Sequence, residues 1–170
     1  WKLPWGEVEP VTTEAAFDQR MATLVAEKDP QQPLFIWGYH QLWHGAMSKT
    51  RIESIAGRRP TVVWHRSFHE LYMNSSAMEM VGVVAEDIKP GMQINIERGH
   101  FYEGGLGYAI NRLNPWILAP DKYAAGLQRL KQVVHHGGHT SIGDLATGMF
   151  NFSAEAEALS QYLEGDDVPF

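Results

Sequence analysis

The chain has 170 residues, of which 44% are hydrophobic and 20% charged, with a net charge of −6. That suits a globular domain with a sizeable core and argues against a nucleic-acid binder, which needs a basic stripe to neutralise phosphates. It has no cysteine, so disulfides and thiolate metal sites are excluded and the compartment, cytoplasmic or periplasmic, stays open; no apolar run approaches the ~20 residues of a membrane helix, and no signal peptide opens the chain.

Residues 1–10, with Trp1, Pro4, Trp5, Gly6 and Pro10, read as an extended entry segment. Ala16, Phe17, Met21, Leu24 and Val25 recur at helical spacing and predict a helix over 12–27, capped by Thr12 or Thr13 and ended at Asp29-Pro30. The apolar run 33–37 suits a buried strand, with Gly38-Tyr39-His40 leaving its C-terminal end. Ser48 caps a short helix to about Ala56, closed by Gly57 and Pro60, and 61–65 is a second β-branched strand. Asn74 or Ser75 then caps a helix that Gly82 stops. Strand, helix, strand, helix with short links predicts βαβ units and a parallel sheet.

Residues 83–120, with Pro90-Gly91, a possible strand at 92–96 and a glycine-rich stretch, read as a loop-rich insertion. Tyr123, Leu127, Leu130 and Val134 share a face and predict a helix over 120–134, ended by His135-His136-Gly137-Gly138. A strand is expected over 139–145, then a last helix capped by Ser153 and stopped by Gly165. The closing Asp166-Asp167-Val168-Pro169-Phe170 points into a further strand, and both ends look like cuts in a longer protein. A piece of parallel sheet exposes strand edges, so self-association through them is expected unless something covers them.

The eight histidines are the richest chemical signal. His40 and His44, four apart after a predicted strand, share a face if they lie on a helical turn; they could chelate an ion, contact substrate or simply pack. His65 ends a strand and His69 lies in the loop beyond, where parallel α/β folds place ligand-facing groups. His69-Glu70 starts an HExxH pattern, but Met73 breaks it. Asn74 could bond to substrate or cap the next helix. His100 and Glu103, three apart among glycines, could act as general acid and base or serve a turn. His135 and His136 suit the dipole of a helix C-terminus. Asp144, at the end of a predicted strand, could orient a histidine or cap a turn.

The ordered blocks WGYHQLWHG, RRPTVVWHRSFHELYMNSSAMEMVGV, ERGHFYEGGL and GHTSIGDLATG resemble amidohydrolase family 3, the YtcJ-like metal-dependent hydrolases. Pro60, His69, Asn74, Ser75, Ala77 and Met78 look like that family's proline-led strand, histidine and Asn-Ser-x-Ala element. The WGYH and WHR elements look most like a bacterial subgroup labelled exoenzyme regulatory proteins. The resemblance implies a partial (β/α) TIM-barrel segment, with 1–170 one piece of the barrel and the remaining barrel and small β-domain absent. It implies hydrolysis of amide-like C–N bonds of a small-molecule substrate by water activated on a divalent metal, expected to be zinc, in the full-length parent. The family's HxH ligand pair does not occur here, so no metal is expected in this chain, and the chain alone is expected to be inactive. His69 matches the family's pocket histidine; with the other roles read from location alone, the catalytic residues expected are His69, His65, Glu103 and His100, and the substrate contacts expected are His40, His44, Asn74 and Asp144. A regulatory or ligand-binding module without catalysis is the alternative.

Overall fold

A computed structural model of the chain describes residues 2–3, 6–7 and 9–163. Trp1 and Trp5 of the entry segment, the Gly165 stop and the closing 166–170 lie outside the described residues. The chain divides into two compact units, one spanning Val11–Arg112 and one drawing on chain before and after it.

The Val11–Arg112 unit opens with α1 (Glu14–Glu27). Thr13 is its N-cap, with Oγ1 accepting from the Ala16 N–H at 3.2 Å, which satisfies one of the orphan donors of the first turn. Then come β3 (Leu34–Tyr39), a single helical turn α2 (Gln41–His44) and α3 (Lys49–Ala56), whose cap is Ser48. Strand β4 (Thr61–His65) is buried along its whole length, as expected of a strand covered on both faces. Strand β5 (Glu70–Met73), α4 (Ser75–Met80) with Asn74 as cap, β6 (Ile94–Asn95), β7 (His100–Tyr102) and α5 (Gly104–Ile117) follow.

The five strands form one mixed sheet in the order β3-β4-β5-β7-β6. Only β3 and β4 run parallel; β5, β7 and β6 are each antiparallel to their neighbours. The expectation of a parallel sheet is therefore corrected. The link between β4 and β5 is the turn 66–69, far too short for the crossover a parallel pair requires. Among the described residues the sheet is open and no barrel closes. The stretch 83–120, read from sequence as inserted loops, supplies two sheet strands and a helix.

Side chains alternate across the sheet. On one face Tyr39, Val63 and Tyr72 pack with Phe17 and Met21 of α1 and Ile52 of α3. On the other, Val62, Trp64, Leu71 and Met73 are buried, and α4 packs against β4 and β5. Two arginines tie the helices down. Arg51 of α3 reaches Asp18 of α1 at 2.7 Å and also donates to the carbonyls of His44 and Ala46. Arg59 donates to the carbonyls of Val25, Lys28, Asp29 and Gln32, satisfying acceptors around the C-terminus of α1.

The second unit contains a short antiparallel ladder of β1 (Lys2–Leu3) and β2 (Gly6–Glu7). It also holds α6 (Pro120–His136) and α7 (Phe152–Leu163), which pack on one another. The strand expected over 139–145 does not form; Ile142 and Leu145 stay exposed there, with no burial to reward an extended ladder. The cap of α7 is Asn151, whose Oδ1 accepts from the Ala154 N–H at 3.1 Å, not Ser153, which falls inside the first turn. The buried Glu155 carboxylate turns back to take the N–H groups of Gly148, Phe150 and Asn151.

Candidate functional site

The parallel pairing of β3 and β4 brings their C-terminal ends together, with Tyr39 opposite His65. His40 and Gln41 follow one strand and His65 ends the other. The chain reverses at 66–69, where the Phe68 N–H donates to the His65 carbonyl at 3.0 Å. Phe68 holds φ +67 there, an uncommon conformation for a bulky residue, and its ring stacks on Trp64 with centroids 4.7 Å apart. Strand β5 then starts at Glu70, with Tyr72 opposite His100 of β7. Residues two apart share a face, so Glu70, Tyr72 and His100 project from the same side as His65.

These groups meet. His100 Nε2 lies 2.5 Å from Glu70 Oε2, and Tyr72 donates its hydroxyl to the same oxygen at 3.3 Å. The Tyr72 and His100 rings stack at 4.3 Å and 2°. His65 Nε2 lies 4.0 Å from Glu70 Oε1 and 2.9 Å from Gln41 Oε1. His65 Nδ1 accepts from the Ser67 backbone N–H at 3.0 Å and lies 2.7 Å from Ser67 Oγ. The Ser67 N–H pointing at Nδ1 requires a lone pair there, so the neutral ring carries its hydrogen on Nε2 and donates it to Gln41. His40 stacks beside it, ring centroids 5.0 Å apart.

Burial holds both His65 and His100 below the ordinary histidine range, and the neighbouring Glu70 partly offsets it. Burial, reinforced by Glu70, also pushes the Tyr72 hydroxyl upward. Tyr39, edge-on to His65, is raised to about 12, again mainly by burial. The site therefore has two imidazoles, His65 and His100, held toward the neutral form, two tyrosines held toward the protonated form, and the Glu70 carboxyl group between the two rings. Such a set can take up a proton from a bound group, shared between His100 and Glu70 across their contact, and can orient a polar substrate.

Of the residues singled out from sequence, the fold brings His65, His100 and His40 to this cluster. His69 and Glu103 form a separate exposed pair, Nδ1 to carboxylate 3.3 Å, tied by the Glu103 N–H donating to the His69 carbonyl. His44 is buried against Phe17 and spends both ring nitrogens on backbone, Nδ1 on the His40 N–H and Nε2 on the Val11 carbonyl. Asn74 is fully buried. Its Oδ1 accepts from Thr61 and Ala77 N–H groups, and its Nδ2 donates to the Arg59 and Gly57 carbonyls, leaving nothing for a substrate. Asp144 lies in the other unit and accepts from Thr147 Oγ1 and the Ala146 N–H, bonds that lower its carboxyl below the usual range. Both act as local caps. Glu70, Gln41, Ser67 and Tyr72 were not singled out as site residues. The alternation in Glu70-Leu71-Tyr72-Met73, directly after a tight turn, was the available signal for Glu70 and Tyr72.

The family resemblance implies a metal, and the described residues do not fit one. No group of three or more His, Asp or Glu is placed to hold an ion. Glu70 is engaged by His100 and Tyr72, and His65 by Gln41 and Ser67.

No family model matches the chain, and no curated protein does. Among solved structures, the chain is similar to an uncharacterized metal-dependent hydrolase from Pyrococcus horikoshii OT3, with 19% identity and a TM-score of 0.63 over 93% of this chain and 29% of that one. An uncharacterized metal-dependent hydrolase from Pyrococcus furiosus aligns with 18% identity and a TM-score of 0.47, over 91% of this chain and 30% of its own. The chain thus spans under a third of the length of these proteins. What it shares with the first is a fold, matched to one part of a metal-dependent hydrolase.

Proposed function

We propose that this chain is the substrate-pocket segment of a metal-dependent hydrolase of the amidohydrolase family 3 type, acting on amide-like C–N bonds of a small molecule. In this proposal the chain forms part of a (β/α) barrel, and the parent's divalent metal, zinc by family resemblance, is held by residues other than those described. The observation that carries it is the convergence of His65, Glu70 and His100 on one face of the sheet, beside the end of β4. A half-buried carboxylate between two imidazoles held below their ordinary range is poor core material and good pocket lining, because it costs desolvation that packing alone does not return. The exposed His69–Glu103 pair, with His69 in the hairpin turn, keeps the catalytic assignment made from the sequence. The fold likeness to a metal-dependent hydrolase supports the proposal.

The test is a histidine-resolved NMR titration of this chain with a small neutral amide such as N-acetylglycinamide. Shifts at His65, His69 and His100, with none at His135 and His136, are expected. No shift at the cluster overturns the proposal. In the longer enzyme, His69→Ala is expected to lower kcat/KM at least about tenfold, roughly 1.4 kcal/mol of transition-state stabilisation; unchanged kinetics would remove His69 from the site.

A further inference from the structure

The turn between β4 and β5 holds a hydroxyl, that of Ser67, which the hydrolase proposal leaves unused and which sits against one histidine of its cluster. Ser67 is exposed, while its partner His65 is buried. The Ser67 hydroxyl lies 2.7 Å from His65 Nδ1, the nitrogen that carries the lone pair and that also accepts from the Ser67 backbone N–H at 3.0 Å, so the hydroxyl and the N–H share one acceptor. On the far side of the ring, Nε2 is held by Gln41 Oε1 at 2.9 Å, with Glu70 Oε1 at 4.0 Å. The His69 backbone N–H points at Ser67 Oγ at 3.3 Å. A solvent-facing hydroxyl, a base in contact with it, and a polar group orienting that base are the three parts of an activated nucleophile.

From this geometry we propose that Ser67 is an acyl-accepting nucleophile, with His65 as its general base and Gln41 and Glu70 as positioning residues. The substrate class is small carboxylic esters with a good leaving group, which an open surface turn admits. Ser67 Oγ bonds to the ester carbonyl carbon as its proton moves to His65 Nδ1. The C–O bond to the alcohol then breaks, and the alcohol departs with that proton. Water attacks the acyl-Ser67, giving its proton to Nδ1; the acid leaves and the serine hydroxyl is restored. While His65 is cationic, Glu70 lies close enough to stabilise it, and the burial that keeps the ring neutral at rest leaves it ready to accept the proton. Every group belongs to the Val11–Arg112 unit, and no step uses a metal, so the steps stand apart from the metal-hydrolase proposal even though His65 and Glu70 serve in both.

The chain has no cysteine, so Ser67→Cys introduces a single thiol whose reactivity reports directly on His65. Alkylation by iodoacetamide, followed by intact mass from pH 5 to 9, is compared with Ser54→Cys, another exposed position in the same unit. At pH 6 the thiol at position 67 is expected to react at least tenfold faster than that at 54, with its titration midpoint well below the ordinary ~8.5. Adding His65→Gln should return it to the rate at position 54. The unaltered chain should take one fluorophosphonate label, mapping to Ser67 and lost in Ser67→Ala. Equal alkylation rates at 67 and 54, or a chain that takes no label at Ser67, overturns the proposal whether or not the His65 variant folds.

Discussion

Glu70 governs the protonation of the residue it touches. Burial lowers His100 while the bond and charge of Glu70 raise it, so removing the charge leaves burial unopposed. Glu70→Gln is therefore expected to move the His100 NMR titration midpoint further down, and an upward shift would show that Glu70 does not raise it. Asn74 makes a sharper case. Asn74→Ala strips a cap and leaves the buried Thr61 N–H without its partner, costing about 2–4 kcal/mol by urea denaturation. From sequence, Asn74 could be either cap or substrate contact, because both roles use the same amide; only the burial of all its polar atoms decides between them. Glu70 was harder to foresee. Next to His69 it suggests a failed metal motif, and its true partner, His100, lies 30 positions away, a distance that local pattern does not bridge.

The elements with strong periodicity were legible. Helices α1, α3, α4 and α6 and strand β4 form where apolar spacing and caps place them, since local chemistry at Thr13, Ser48 and Asn74 agrees with the tertiary structure. The hairpin of β4 and β5 was not, because its turn contains neither glycine nor proline and instead forces Phe68 into a left-handed conformation. The strand expected at 139–145 failed for the opposite reason: its apolar residues find nothing to pack on. Gly99 marks where β7 approaches α3 and β5. Its φ is +64, and a Cβ there would drive into the Met73 carbonyl oxygen, which makes Gly99→Ala strained both in backbone and in space. The expected cost is at least about 1–3 kcal/mol, read as a lowered melting temperature; unchanged stability would show that β7 can retreat from β5.

At the scale of the molecule, the depressed histidines set a pH dependence. The native state favours neutral His65 and His100, whereas the unfolded chain protonates histidine near pH 6.5. Above that pH neither state binds the proton and the full stability is present. As pH falls through about 6.5 and below, the unfolded state takes up protons that the native state resists, and stability declines until the folded values are passed. The urea midpoint is expected to drop between pH 7.5 and 5.5, and His100→Gln should flatten that drop; an equal drop in the variant would assign it elsewhere. The outer edge of β3 lies at the end of the sheet, with Trp37 exposed on that strand. Such an edge favours pairing with another strand. Self-association that weakens in Trp37→Lys is expected in sedimentation velocity, and a strict monomer at high concentration would rule it out.

The hairpin that carries the cluster has a consequence in time. His65 and Glu70 stand either side of one tight turn, so the encounter that places them needs only hairpin closure, a microsecond event. Pairing β3 with β4 must instead wait for the α2–α3 crossover to order, with its larger loop-closure entropy. The carboxylate and its first imidazole are thus expected to be in register before the rest of the sheet is built around them, and the last strands to dock decide when His100 arrives and the cluster becomes complete.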